Sequence, residues 1–305
     1  MPRLCRLAVL LSLFGLVSCG GGAGRSQSPG DPNVPHLAHV FVVVEENHSL
    51  QETIGQSVMP YLNSLANQYG LATNYFADVH PSLPNYFMLT TGQTIAKDDG
   101  YDGTVTVDNV VQALTAAGKT WKCYADSLPA PGYLGGDTGL YARHHNPFTY
   151  FSVVLNNANQ QANVVPFSQL ATDMAADQLP NYGLIIPNLV DDAHDCPGGG
   201  TCDDSAKLAQ ADAWLSANIQ PLVNNSTFRQ SGLLLITFDE SDENDNKHGG
   251  GQVPLLVISS KAIAGFRSTT FYQHESTLRL TMQALGVADL PGAASDATQM
   301  GEFFK

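Results

Sequence analysis

The sequence predicts an α/β domain with a mostly parallel central sheet and helices on both faces. Four short runs carry this reading: residues 39–44 (HVFVVV), 184–190 (LIIPNLV), 233–238 (LLLITF) and 253–259 (VPLLVIS). Each is apolar and β-branched and bounded by turn residues, and hydrophobicity that is continuous rather than alternating suggests strands covered on both faces. Between them, residues 59–69, 109–117, 204–223 and 274–285 place apolar side chains at helical spacing. Strands that alternate with helices build parallel sheets. No internal repeat and no composition break interrupts residues 36–305, so they are read as one domain.

The N-terminus has a different character. Arg3 and Arg6 precede the apolar run LAVLLSLFGLV, which is short for a membrane span. Residues 1–18 therefore read as a signal peptide. Leu16-Val17-Ser18-Cys19 resembles a lipobox, which makes Cys19 the expected lipid anchor of an exported bacterial outer-membrane or cell-surface lipoprotein. Ordinary cleavage to a periplasmic or secreted product is the alternative. Residues 19–35 (CGGGAGRSQSPGDPNVP) hold too few apolar side chains to bury a core and read as a tether.

The formal net charge is −14, and losing Arg3 and Arg6 with the signal makes it more negative still. Such a surface repels nucleic-acid phosphates, so no nucleic-acid partner is expected. Small phosphate esters remain accessible if a bound cation inverts the local field. Of the five cysteines, Cys196 and Cys202 flank the loop PGGGT. In an exported protein they are expected to form a disulfide, with metal binding as the weaker option. Cys123 lies in the strand-like run TWKCYAD and reads as an ordinary buried residue.

The chemistry sits at the ends of the strands. HVFVVV runs into Glu45, Glu46, Asn47 and His48. LIIPNLV runs into Asp191, Asp192, Ala193, His194 and Asp195. LLLITF runs into Asp239, Glu240, Ser241 and Asp242. In a parallel sheet these carboxyl ends share one edge, where ligands bind. Clustered carboxylates repel one another, and a divalent cation resolves the repulsion. Any one cluster alone reads equally well as a solvated loop; three together point to a metal site.

A second signal is HPSLPNY, residues 80–86, followed by FMLTTG. Pro84 suits the first turn of a helix and Ser82 its cap. The same geometry serves catalysis, because a helix N-terminus attracts phosphate and a hydroxyl beside a divalent metal can attack phosphorus. Neither a G-x-S-x-G elbow nor a P-loop occurs.

Together EENHS (45–49), HPSLPNYFMLTTG (80–92), HHNPF (144–148), PNLVDDAHDC (187–196) and TFDES (237–241) resemble the bacterial and fungal phosphoesterase family. That family contains acid phosphatases and phospholipases C and belongs to the alkaline phosphatase superfamily. The resemblance runs from His39 to about Gly286 and implies an alkaline-phosphatase-like fold. It implies that Glu46, Asn47, Asp239 and Glu240 hold a metal, with Asn47 also meeting the phosphate. Ser82 falls at the nucleophile position, and Asn85 then donates to a phosphate oxygen. Asp192 and His194 are candidates for a second metal, or for substrate contact if only one metal binds, and His274 could join that second site, although Asp191 stands where the family more often has Asn. His145 is expected to contact the phosphate or protonate the leaving oxygen, or else to be an exposed neighbour of the Asn146-Pro147 turn. His248, in HGGGQ, reads as part of a flexible rim.

The expected activity is metal-dependent hydrolysis of phosphate esters through a phosphoserine, in the manner of an acid phosphatase. The close alternative is a phospholipase C or phosphodiesterase, for which Tyr133, Phe148, Tyr150 and Phe151 offer either an apolar rim or ordinary core. The alternative of another class is a non-catalytic surface binding lipoprotein. The implied cofactor is one divalent metal ion, or two. The implied partners are a small phosphate ester or phospholipid and a membrane reached through Cys19.

Overall fold

The computed structural model describes residues 1–2 and 30–304. The lipobox and most of the tether lie outside the described residues. Residues 31–34 already pack on the domain: Val34 is buried, and Asp31 accepts from the Gly301 amide at 2.9 Å.

Among the described residues nine strands form one sheet: β1 (His39–Glu45), β2 (Gly70–Phe76), β3 (Trp121–Ala125), β4 (Val164–Pro166), β5 (Tyr182–Ile186), β6 (Gly232–Phe238), β7 (Gln252–Ile258), β8 (Arg267–Ser268) and β9 (Tyr272–Gln273). The order is β4-β3-β5-β1-β6-β7-β2-β8, with β9 also on β2. β4, β3, β5, β1 and β6 run parallel, whereas β7 is antiparallel to both β6 and β2. The α/β architecture with helices flanking the sheet is as the sequence predicts, and the sheet is mixed rather than uniformly parallel. The central strands β1, β5 and β6 are buried almost throughout, which accounts for their continuous hydrophobicity.

Two predicted elements are shorter than their apolar runs. β5 ends at Ile186, because Pro187 has no amide to continue the ladder. The helix expected over 204–223 divides into Asp204–Asn218 and Gln220–Asn224, with Pro221 in the first turn of the second. Phe148, Tyr150 and Phe151 lie in the core, leaving only half-buried Tyr133 of the four rim candidates near the surface.

Register brings the clusters together. β1 pairs with β6 so that Glu45 lies opposite Phe238, which sets Glu46 level with Asp239. On the other side β1 pairs with β5, and the Glu46 amide donates to the Asp192 carbonyl at 2.8 Å. Cys196 and Cys202 form a disulfide that closes the loop between His194 and the helix Asp204–Asn218. A loop this short gains about 2 kcal/mol from the bridge in the chain-entropy description. Among the described residues, no helix is long and apolar enough to cross a membrane.

Candidate active site and metal centre

Glu46 is the hub of the site. It follows the last residue of β1 and is fully buried. Its Oε1 accepts the Tyr86 hydroxyl at 2.6 Å, and its Oε2 accepts the Ser82 hydroxyl at 3.1 Å. His145 Nε2 approaches Glu46 Oε1 at 3.4 Å, and His145 Nδ1 approaches Asp192 Oδ2 at 3.3 Å. One donor atom each from Glu46, His145 and Asp192 lies within 4.8 Å of the others.

All three residues are buried, and His145 Nε2 and Asp192 Oδ2 make no hydrogen bond. Buried polar atoms without partners are costly, so a cluster that keeps two of them is suited to a guest. An imidazole with two carboxylates is a donor set for a divalent cation. The three residues can therefore hold the metal ion that the sequence leads one to expect.

The electrostatics agree. Burial, then the charges of Asp239 and Asp192, raises the Glu46 carboxyl well above its usual range. Burial does the same to Asp192. Burial pushes Asp239 and Glu240 each up to about 7. His145 is driven down to about 3, first by burial and then by His194, so its ring is neutral and free to bind a metal.

Asp239 Oδ1 takes the Asn47 amide at 3.1 Å while its Oδ2 has no hydrogen-bond partner, which places it at the margin of the same cluster. Asn47 sits in the left-handed region at φ 61°, a conformation Asn tolerates, and this bend carries the chain away from β1 toward His48. Glu240 turns the other way. Its Oε2 lies 3.3 Å from both His80 Nδ1 and Asn85 Nδ2, and that contact lifts His80 to about 9. Glu240 is thus engaged by a cationic imidazole.

Ser82 opens the helix Ser82–Thr91 as its first residue, with Pro81 as the cap. Its hydroxyl points to Glu46 instead of capping. Asp99 Oδ1 takes the Leu83 amide at 2.8 Å, and Pro84 has no amide, so little of this helix end is free for an anion. Asn85 is likewise occupied. Its Oδ1 accepts from the Asp78 and Val79 amides, and its Nδ2 donates to the Val79 carbonyl at 2.8 Å. The amide therefore shapes the loop leading to Ser82.

His194 flanks the cluster with Nδ1 on Asp195 at 2.8 Å and its backbone amide on Asp192 Oδ1 at 2.8 Å. His274 is committed on both nitrogens, Nδ1 to the Tyr75 hydroxyl at 2.7 Å and Nε2 to the Asp239 carbonyl at 2.6 Å. In that state it braces the strand end that carries Asp239. His248 is exposed and packs on Phe76 and Phe271.

Two residues of the site escaped the sequence reading. Tyr86 binds Glu46 and stacks on His145 with ring centroids 5.4 Å apart, and His80 pairs with Glu240. Both lie inside HPSLPNY, and their adjacency to Ser82 was the available signal.

A model described as the phosphoesterase family matches residues 56–288. The chain belongs to the phosphoesterase family. It is 32% identical over 256 residues to a phosphatidylinositol-3-phosphatase of Mycobacterium tuberculosis, covering 83% of this chain and 79% of that protein. It is 30% identical over 247 residues to a probable acid phosphatase of Kluyveromyces lactis, covering 78% of this chain and 56% of the yeast protein. A crystal structure of an alkaline phosphatase superfamily protein from Vibrio parahaemolyticus superposes with a TM-score of 0.61 at 11% identity, over 90% of this chain and 71% of that one. The fold is alkaline-phosphatase-like, and this phosphoesterase is a hydrolase of phosphoric esters that uses a divalent metal.

Proposed function

We propose that the chain is a phosphomonoesterase of the acid-phosphatase kind, with Ser82 as its nucleophile. The observation that carries the proposal is the Ser82 hydroxyl held 3.1 Å from Glu46 Oε2, at the edge of the Glu46, His145 and Asp192 cluster. Glu46, His145 and Asp192 would hold a divalent cation, which would supply Lewis acidity to the phosphate and offset the repulsion between carboxylates and substrate.

The chain's own residues do the rest. Glu46 Oε2 orients Ser82 Oγ and receives its proton as Oγ closes on phosphorus. The Oγ–P bond forms and the bond to the alcohol oxygen breaks, that oxygen taking a proton from solvent water as it leaves; water then cleaves the phosphoserine Oγ–P bond, giving phosphate and returning the Glu46 proton to Ser82 Oγ. Tyr86 fixes the other Glu46 oxygen, so the acceptor keeps its position throughout. Burial of Glu46, His145 and Asp192 lowers the local dielectric and strengthens each of these interactions. The two relatives described above bear names of monoester phosphatases, which favours monoesters over diesters.

The deciding assay compares 4-nitrophenyl phosphate, its bis ester and phosphatidylcholine, each with and without chelator. The expected result is chelator-sensitive turnover of the monoester at least tenfold faster than of the others, a margin of about 1.4 kcal/mol in barrier. Preference for either diester would replace the proposal with the phosphodiesterase or phospholipase C alternative.

We also propose that the protein is exported and anchored through Cys19. The sequence Leu16-Val17-Ser18-Cys19 supports this, and the Cys196–Cys202 disulfide suits an oxidising compartment. Cys19→Ala is expected to move the protein from the membrane fraction to the soluble one. Unchanged membrane association of that variant would remove the anchor.

A further inference from the structure

A sizeable cleft beside the site has no part in the chemistry above. It encloses about 730 Å³, a size typical of small-molecule sites, between Ser49, Gln51, Val58, Ser205, Leu208 and Gln252. A smaller cleft of about 240 Å³ lies beside it and is lined by Asn47 and His194. Asn47 adjoins Glu46, and His194 follows Asp192 by two residues, so the smaller cleft opens at the edge of the metal-binding cluster. Both clefts share Glu52, Asp204 and Asp242 as walls. The two therefore adjoin as one groove whose near end is lined by Asn47 and His194.

The larger cleft also holds a polar group with nothing to bind. Ser241 lines it, is fully buried, and its Oγ has no hydrogen-bond partner. A buried hydroxyl left unpaired costs about 1–3 kcal/mol, and a ligand hydroxyl reaching it would recover that cost.

The lining decides among ligand classes. Only Val58 and Leu208 are apolar in the larger cleft, too little for acyl chains. Among the described residues no Phe, Tyr or Trp lines either cleft, so no aromatic face is offered to a quaternary ammonium. Glu52, Asp204, Asp242, Glu243 and Asp245 outnumber Lys207 and Lys247, which repels a second anionic group. What remains is a mixture of hydroxyls, amides and carboxylates able to accept and donate to neighbouring alcohols.

We infer that this groove binds the alcohol portion of the substrate, and that this portion is a neutral, water-soluble polyol, with Ser241 Oγ pairing one of its hydroxyls. The inference rests on the phosphomonoesterase reading and names the substrate class for it.

The test compares glucose 6-phosphate, phosphocholine and 4-nitrophenyl phosphate on the full-length enzyme and on two variants. Ser241→Ala removes the buried hydroxyl. The double variant Gln51→Ala with Ser205→Ala alters two exposed side chains of the wall, where folding is not at stake. Wild type is expected to show kcat/KM at least tenfold higher for glucose 6-phosphate than for phosphocholine. In each variant the ratio of kcat/KM for glucose 6-phosphate to that for 4-nitrophenyl phosphate is expected to fall about fivefold to tenfold, the size of one lost neutral hydrogen bond. A ratio within twofold of wild type in both variants, or a preference for phosphocholine, overturns the inference. If no ester is turned over, the phosphoesterase reading has failed instead, and saturation-transfer NMR with free sorbitol decides the groove. A sorbitol signal weakened in the variants upholds it, and no signal overturns it.

Discussion

Replacing Ser82 with Ala is expected to lower kcat for 4-nitrophenyl phosphate by on the order of 10⁴-fold or more, the scale of losing an activated nucleophile. The substitution removes one oxygen and little else. Ser82 donates to Glu46 Oε2 at 3.1 Å and also lies beside the Asp239 carboxylate, and Glu46 keeps Tyr86 on its other oxygen. Cation affinity, read by titration calorimetry with Mn²⁺ or Zn²⁺, is therefore expected to stay within a few fold of wild type. Folding stability should fall by about 1 kcal/mol for the lost hydrogen bond. The combination is diagnostic: a residue that merely supported the metal site would lose both turnover and cation binding. Retention of more than a tenth of wild-type kcat would show that water attacks phosphorus directly and that Ser82 only orients Glu46.

Much of the sheet was readable because its central strands are buried on both faces. The runs that became β1, β6 and β7 are mostly apolar, β-branched and short between turn residues, which favours a covered strand over a helix. The direction of β7 was not readable. A strand's composition records its burial and not its sense, and the turn through residues 242–251 that reverses the chain is polar like any loop. β8 and β9 are two residues each, too short for any periodicity to register.

The site was legible where residues follow strands and obscure where they do not. Glu46, Asp192 and Asp239 each end an apolar run or the turn after one, so parallel register alone brings them together. His145 sits instead on the short 3₁₀ turn Arg143–His145, within an irregular stretch whose path no local pattern reveals. Its sequence motif suggested phosphate contact or proton donation. The structure places its ring nitrogens toward Glu46 and Asp192, where the three side chains together could hold a metal ion. His274 shows the converse: the start of a helix near the site looks available for a metal, but both nitrogens are spent inside the core.

Removing the cation is expected to abolish turnover and to give the protein a stability that falls as pH rises. Asp239 and Glu240 sit at about 7 in the folded chain, raised from ordinary carboxylate values by burial, and Glu46 and Asp192 are raised too. A carboxyl whose folded value lies above its unfolded one binds its proton more tightly when folded. Its contribution is complete below about pH 4 and is lost as pH climbs through the folded value. His80, raised to about 9 by Glu240, acts in the same direction at higher pH. His144, His145 and His274 oppose this, because burial lowers them to about 4, 3 and 4, and folding then suffers as pH drops below the ordinary histidine value. Between about pH 6.5 and 8 the unfolded histidines have lost their protons and only the first group still acts. In that window the chelated protein's Tm should fall steadily. A bound divalent ion takes the place of the protons on Glu46 and Asp192, and binding needs those groups ionised and His145 neutral. The Tm gain from added Mn²⁺ or Zn²⁺ is therefore expected to grow from pH 5 to pH 8, with about 2.7 kcal/mol of stabilisation at a hundredfold excess over Kd. Thermal unfolding in chelator and in metal across that range measures it. A gain that is flat with pH, or larger at pH 5, would mean that the buried carboxylates and His145 are not where the cation binds.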